Sequence, residues 1–160
     1  MRCFLRQSAD TTRVAGVVVR PLTVVADDRG AVFHMLRADA PHFQQFGEIY
    51  FSLVNPGQVK AWHRHRKMVL NYAVPRGRAR VVVYDDRADS PTRGAVMAID
   101  TGDADYALIT IPPGTWSGFT ALGDAAALVA NCATLPHDRN EIDRRPADDP
   151  AITYVWTAAR

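Results

Sequence analysis

Cysteine is almost missing from this chain. Cys3 and Cys132 are the only two, far apart in sequence, so no disulfide framework is expected. Charge of one sign is missing too. Nineteen Lys and Arg residues face 17 Asp and Glu for a net +2, and the basic residues are scattered rather than striped. That excludes an electrostatic footprint for nucleic acid and leaves, at most, steering of a small anion. No apolar run approaches a membrane span. The opening Met1-Arg2-Cys3-Phe4-Leu5-Arg6 is too short in apolar residues for a signal peptide, so a reduced, cytoplasmic protein is the expectation. Helical patterning is scarce. Pro41–Phe46 is read as a helical turn, while Ala125-Ala126-Ala127 is drawn into a strand by the Leu-Val that follows.

What is present is a succession of short apolar runs, rich in Val, Ile, Tyr and Phe and closed by Gly, Pro or Asp. Val14–Val25 comes first, then Ala31–Leu36 after the turn Asp27-Asp28-Arg29-Gly30, then Ile49–Val54 ending at Asn55-Pro56-Gly57. Gln58–His63, Val69–Val74, Arg78–Asp85, Ala95–Ile99, Ala107–Ile111, Trp116–Thr120, Ala126–Cys132 and Ile152–Trp156 complete the series. About ten or eleven strands at this pace predict a sandwich or barrel. In Arg78-Ala79-Arg80-Val81-Val82-Val83-Tyr84 the arginines share one face, either solvated or turned into a polar lumen. Residues Leu135–Pro150 are polar and read as an excursion over the surface. With 48% hydrophobic and 22% charged residues, the 160 residues fit one soluble domain, 1–160, with a core of ordinary size.

A motif lies in the middle: Gly57-x5-His63-x-His65-x4-Leu70-x6-Gly77, followed later by Pro112-Pro113-Gly114-Thr115-Trp116-Ser117. This spacing resembles the two metal motifs of cupins. Leu70 and Ser117 stand where a glutamate and a histidine ligand belong, which points to the metal-free, sugar-handling branch. Further pieces are Asp27-x-Arg29-Gly30, Gly57-x2-Lys60-x2-His63, Asp85-x-Arg87-x2-Ser90-Pro91-Thr92-x-Gly94, Ile111-Pro112-x-Gly114-x3-Gly118-Phe119, Cys132, and Asp149-Pro150 with Ile152 and Trp156. Together they resemble the dTDP-4-dehydrorhamnose 3,5-epimerase family over nearly the whole chain.

The resemblance implies a cupin-type double-stranded β-helix, a jelly roll, and a homodimer. It also implies a nucleotide-sugar substrate and no metal or organic cofactor, since the substrate's ketone itself acidifies the neighbouring proton. Such a reaction needs a base, a partner for the enolate oxygen and an acid on the other face. Carried over by position, the base is His63 and its orienting carboxylate Asp149. The family's lysine position is Leu70 and its tyrosine position Ala130. Lys60 stands where an arginine is usual, Ser117 for a histidine before Gly118-Phe119, and His34 for a frequent glutamate. Lys60, His65 or Lys67 are candidates to replace the lysine, and Tyr50, Tyr72 or Tyr106 the tyrosine. The function expected is epimerisation of a dTDP-4-keto-6-deoxysugar at the 3- and/or 5-position in carbohydrate biosynthesis. The alternatives are a 3,4-ketoisomerase, which needs a base on one face only, and a non-catalytic sugar-nucleotide or small-molecule binder.

Several of these residues carry more than one reading. His63 and His65, two apart and so on one strand face, are a base with a substrate contact, a chelating pair, or an exposed basic stretch with Arg64, Arg66 and Lys67. Asp149 is a catalytic partner or a loop acid. Arg29 is a pyrophosphate contact, since guanidinium grips phosphate oxygens bidentately, or decoration on a hairpin. Trp116 stacks on substrate or packs in the core. Asn71 and Asn131, in apolar strands, are satisfied core amides or ligand contacts. Asp85 and Arg87 read as a turn brace, His42 and His137 as exposed loop residues.

Overall fold

Turns at glycine, proline and aspartate cut the chain into antiparallel strands in this computed structural model, which describes residues 13–157. Cys3 and the first residues, on which the thiol and signal-peptide expectations bear, lie outside the described residues. The strands are β1 (Val18–Pro21), β2 (Val24–Asp27), β3 (Gly30–Phe33), β4 (Glu48–Val54), β5 (Val59–His65) and β6 (Leu70–Arg76), then β7 (Arg78–Tyr84), β8 (Val96–Gly102), β9 (Ala107–Ile111), β10 (Trp116–Ala121), β11 (Ala127–Ala133) and β12 (Ile142–Arg144). A first sheet has the order β1-β9-β6-β11-β4 and a second the order β12-β5-β10-β7-β8, while β2 and β3 form a separate hairpin. Apart from β7 and β8, neighbours in the two large sheets are not consecutive in sequence, the crossed-over connectivity of a jelly roll. The all-β expectation is met, and no described residue is helical.

Alternation along each strand sorts side chains to two sides. Leu70 and Val74 of β6, Val81 and Val83 of β7, Ile109 of β9 and Val129 of β11 pack between the sheets. Each such side chain removed from water stabilises the fold by about 1.5–3 kcal/mol. Val82 faces the other way, into an outer cluster with Trp62, Trp116 and Ile152, against which Tyr154 and Trp156 pack. Arg80 also points outward and pairs with Asp100 of β8, which resolves the two readings of the β7 arginines in favour of the outer face.

Three segments depart from expectation. Residues 41–46 form no helix: the chain turns through Ala40 N–H to Arg37 C=O and Phe43 N–H to Ala40 C=O, and Pro41 has no N–H to continue. Ile152–Trp156 forms no strand, because its apolar residues are used to cover Trp62 rather than to pair. The polar segment 135–150 in turn contains β12, which pairs with β5. Cys132 is a buried thiol with no disulfide partner among the described residues.

The Asp-x-Arg-x2-Ser-Pro-Thr motif is a brace, as its sequence suggests. The fully buried Asp85 carboxylate accepts from Arg87 Nε (2.8 Å) and Nη2 (2.8 Å), Ser90 Oγ (2.5 Å) and Thr92 Oγ1 (2.7 Å). Thr92 Oγ1 accepts in turn from Ala15 N–H, and Arg87 Nη2 donates to Ala15 C=O, so one carboxylate ties the start of the described chain to the β7–β8 connection.

Candidate active site

Lys60 and His63 are three residues apart, so regular alternation would turn them to opposite faces of β5. A β-bulge brings them to one face. Ser117 of β10 pairs with His63 and Phe119 with Lys60, so the single residue Gly118 stands opposite two, Ala61 and Trp62. Gly118 is required there: a Cβ on it would lie 2.4 Å from Ala61 Cβ and 3.0 Å from Lys60 O. Trp62 is thereby sent to the outer cluster, while Lys60, His63 and His65 all line one cavity of about 480 Å³ between the sheets. That volume falls in the range of small-molecule sites.

The second sheet supplies one wall of this cavity: Lys60, His63 and His65 from β5, Phe119 from β10, and Ile142 and Arg144 from β12. The first sheet supplies the facing wall, with Glu48, Tyr50 and Ser52 from β4, Tyr72 from β6, and Val129 and Asn131 from β11. His137 and Met68 also reach the cavity. Lys60 Nζ donates to Ser52 Oγ at 2.8 Å. Arg144 pairs in register with His63 and makes no ion pair among the described residues. Burial above all, and then Arg144, His65 and Lys60, push the His63 imidazole below its usual value. It is therefore neutral, and able to accept a proton, at neutral pH.

His65 is held differently. Its Nδ1 meets Glu141 Oε2 at 2.6 Å, and Glu141 Oε1 accepts the backbone N–H groups of Lys67 (2.6 Å) and Met68 (2.8 Å). Burial pushes the Glu141 carboxyl up, but these two amides and His65 outweigh it and hold the group below the usual carboxylate range. An ionised Glu141 is an acceptor only, so His65 donates through Nδ1 and leaves Nε2 to face elsewhere.

On the other wall, buried amides fix a tyrosine. Asn131 is fully buried; its Oδ1 accepts Asn71 N–H at 3.1 Å, and its Nδ2 donates to Tyr50 Oη at 3.0 Å. Asn71 Nδ2 donates to Cys132 C=O, and Thr110 Oγ1 donates to Asn71 Oδ1. The two asparagines are thus satisfied core amides, and Asn131 touches the cavity as well.

The residues singled out in the sequence divide accordingly. His63, His65 and Lys60 come together at the cavity. Asp149 does not join them. Its Oδ1 accepts Ala151 N–H at 2.8 Å and lies 3.9 Å from Arg145, in the segment covering the outer side of the second sheet. Trp116 is also absent from the cavity: the Arg64 and Arg145 guanidinium groups each lie 4.6 Å over its ring, and its Nε1 donates to Asp86. Arg29 sits at the β2–β3 turn, where its Nε and Nη2 both donate to Asp27 Oδ2, and it is absent from the cavity lining. The sequence reading missed Glu141 and Arg144. The one available signal was the short alternation Ile142-Asp143-Arg144, which places residues 142 and 144 on a common face. Among the described residues no three His, Cys, Asp or Glu side chains gather to hold a metal ion, and no helix is long and apolar enough to cross a membrane.

The profile of the dTDP-4-dehydrorhamnose 3,5-epimerase family matches residues 11–160. The chain belongs to this family. It is 40% identical over 146 residues to the probable low-salt glycan biosynthesis epimerase Agl13 of Haloferax volcanii, covering 89% of this chain and 94% of that one. It is 32% identical over 145 residues to the spore coat polysaccharide biosynthesis protein SpsL of Bacillus subtilis, covering 89% and 96%. The crystal structure of a dTDP sugar isomerase from Desulfovibrio desulfuricans superposes with a TM-score of 0.89 at 47% identity, over 92% of this chain and 94% of that one. A Legionella pneumophila dTDP-6-deoxy-D-glucose-3,5-epimerase crystallised with dTDP-4-keto-L-rhamnose shares the fold (TM-score 0.81, 20% identity, 93% and 82% covered).

In this epimerase-family chain neither Leu70 nor Ala130, the positions set against the family's lysine and tyrosine in the sequence, lines the cavity. Leu70 lies in the core between the sheets. Ala130 stands between Val129 and Asn131, which line the cavity, so it points to the opposite face; a tyrosine there would not reach the ligand space. For the epimerase-family cavity, the Arg144→Gln variant is expected to raise the pKa of His63 modestly, since one of the cations depressing it is gone. Where His63 acts as the base, the acid limb of the pH–rate profile should move up toward neutral pH. The check is kcat/KM from pH 4.5 to 8.

Proposed function

We propose that the protein is a nucleotide-sugar isomerase that epimerises a dTDP-4-keto-6-deoxysugar at the 3- and/or 5-position, in glycan or polysaccharide biosynthesis. The observation that carries this reading is a neutral histidine, His63, flanked by Lys60 and Arg144 on one wall of a sugar-sized cavity. Lys60 and Arg144 supply positive charge for the diphosphate, Arg144 with the forked geometry that phosphate oxygens prefer. His63 removes the proton beside the ketone. The enolate oxygen is met by His65, oriented through Glu141, or by Lys60; one well-aimed donor at such an oxygen lowers the barrier by about 2.7–4 kcal/mol. No metal or organic cofactor enters these steps.

Incubation with a dTDP-4-keto-6-deoxysugar in deuterated water, followed by NMR, tests the reading. Deuterium at C3 and C5 supports double epimerisation, and deuterium at C3 alone a single-centre enzyme. A shifted keto group identifies a 3,4-ketoisomerase, and binding without exchange a non-catalytic sugar-nucleotide cupin. A second assignment of the base is favoured by one contact: His65, not His63, is the histidine held by a carboxylate.

The proposal includes a homodimer. β4 is an edge strand of the first sheet, and Ile49, Phe51 and Leu53 on its outward side are 50–62% exposed, an apolar row on a free edge that a second copy would cover. Phe51→Asp is expected to shift the protein from dimer to monomer in sedimentation-velocity runs at micromolar concentration. A wild-type monomer would remove the idea.

A further inference from the structure

Inversion at carbon needs a proton donor on the side opposite the base, and the family's usual position for one is occupied here by Ala130, facing the wrong way. We propose that Tyr50 is that donor: held by Asn131 on the wall facing His63, it delivers its hydroxyl proton to the enolate carbon and so completes the inversion. This inference rests on the epimerase reading above.

Three observations carry it. The first is placement. Tyr50 comes from the first sheet and His63 from the second, and both line the same cavity, so a flat enolate between them presents one face to each. Tyr106 is excluded, since it is absent from the cavity and packs edge-on against Phe33 at 5.1 Å. The second is hydrogen-bond polarity. Asn131 Oδ1 is committed to Asn71 N–H, so the amide's NH₂ faces Tyr50 and the tyrosine oxygen is the acceptor there. The tyrosine's own hydrogen is left for another partner. The third is what remains after donation. The Asn131 N–H that meets the neutral hydroxyl also stabilises the phenolate, and this amide cannot rotate away without stranding a buried group. Burial above all keeps the Tyr50 hydroxyl protonated beyond its usual range, while Asn131 opposes this and the Glu48 charge adds to it.

The step balances. A C–H bond beside the ketone breaks, its proton goes to the His63 imidazole, and its electron pair forms the enolate. The enolate carbon then takes the proton from Tyr50 Oη on the other face, forming the new C–H bond and leaving a phenolate. Tyr50 is 40% exposed, so imidazolium and phenolate are reset by proton exchange with water at the cavity mouth.

Tyr50→Phe tests the assignment, with circular dichroism and melting confirming that the variant folds. In deuterated water the variant should still exchange the substrate proton with retention of configuration, while inverted product falls by about 10²–10⁴-fold. Inversion by Tyr50→Phe at the wild-type rate overturns the proposal. So does loss of inversion in Tyr72→Phe with Tyr50→Phe unaffected, or a wild-type protein that exchanges without inverting. A wild-type protein that exchanges no proton on any 4-keto sugar nucleotide overturns the epimerase reading itself, and the inference falls with it.

Discussion

His63→Asn should lower both turnover and solvent-proton exchange by about 10²–10⁴-fold, the range for loss of a positioned general base. The asparagine keeps the size and a polar end but cannot take a proton near neutral pH. It should leave nucleotide binding within a few-fold of wild type, because Lys60 and Arg144 stay in place. Exchange monitored by NMR separates this effect from a loss of inversion alone. His65→Asn, measured in parallel, decides between the two histidines. If it abolishes exchange while His63→Asn retains it, the Glu141-held ring is the base and His63 the neighbour. Glu141 then acts as a positioning residue, fixing which ring nitrogen carries the proton.

The second large effect concerns stability. Asp85→Ala should destabilise the fold by about 3–5 kcal/mol, because it strands the Arg87 guanidinium and two hydroxyls that the carboxylate satisfies. For a chain of this length that corresponds to a fall in Tm of roughly 6–20 °C, readable by calorimetry together with a lower urea midpoint at unchanged slope. The sign with pH follows from the same contacts. Arg87 first, with Ser90 and Thr92, holds the Asp85 carboxyl far below the usual range. Its contribution is therefore fully present above about pH 4, where an unfolded aspartate is ionised, and is lost as the pH falls through the folded value. Asp85→Ala should accordingly flatten the acid side of the stability profile. Activity at neutral pH in the folded fraction should change little, since Asp85 is remote from the cavity lining.

Most strands were legible because their β-branched runs end at residues that cannot continue them; β4, β6, β7, β9, β10 and β11 agree with the sequence to within two residues at each end. Ile152–Trp156 misled because apolar character reports burial, and burial against an outer sheet face needs no strand pairing. β12 was hidden for the converse reason: three residues among charges pair because β5 offers an edge, not because their composition asks for it. At the site, His63 and His65 were readable from a spacing of two. Asp149 was placed beside His63 by position in a family pattern, whereas the turn at Asp149-Pro150 folds its carboxylate back on the Ala151 amide. Trp116 lies beside a turn, as expected, but two arginines separated from it in sequence close over its ring. Tyr50's direction and the Glu141 contact depend on which sheets oppose each other, and that is long-range information.

The extra residue in β5 sets the phase of the whole ligand-facing row. Upstream of Ala61 the odd/even rule for which side chains line the cavity is reversed relative to the residues after Trp62. A strand that kept both residues but lost the bulge would keep the histidines inside and turn its ammonium group outward, whereas one that lost a single residue here would pair regularly and keep all three on one face. Charge inside such pockets therefore has to be counted by pairing partner across the sheet, since the parity of the residue number misplaces the ammonium group.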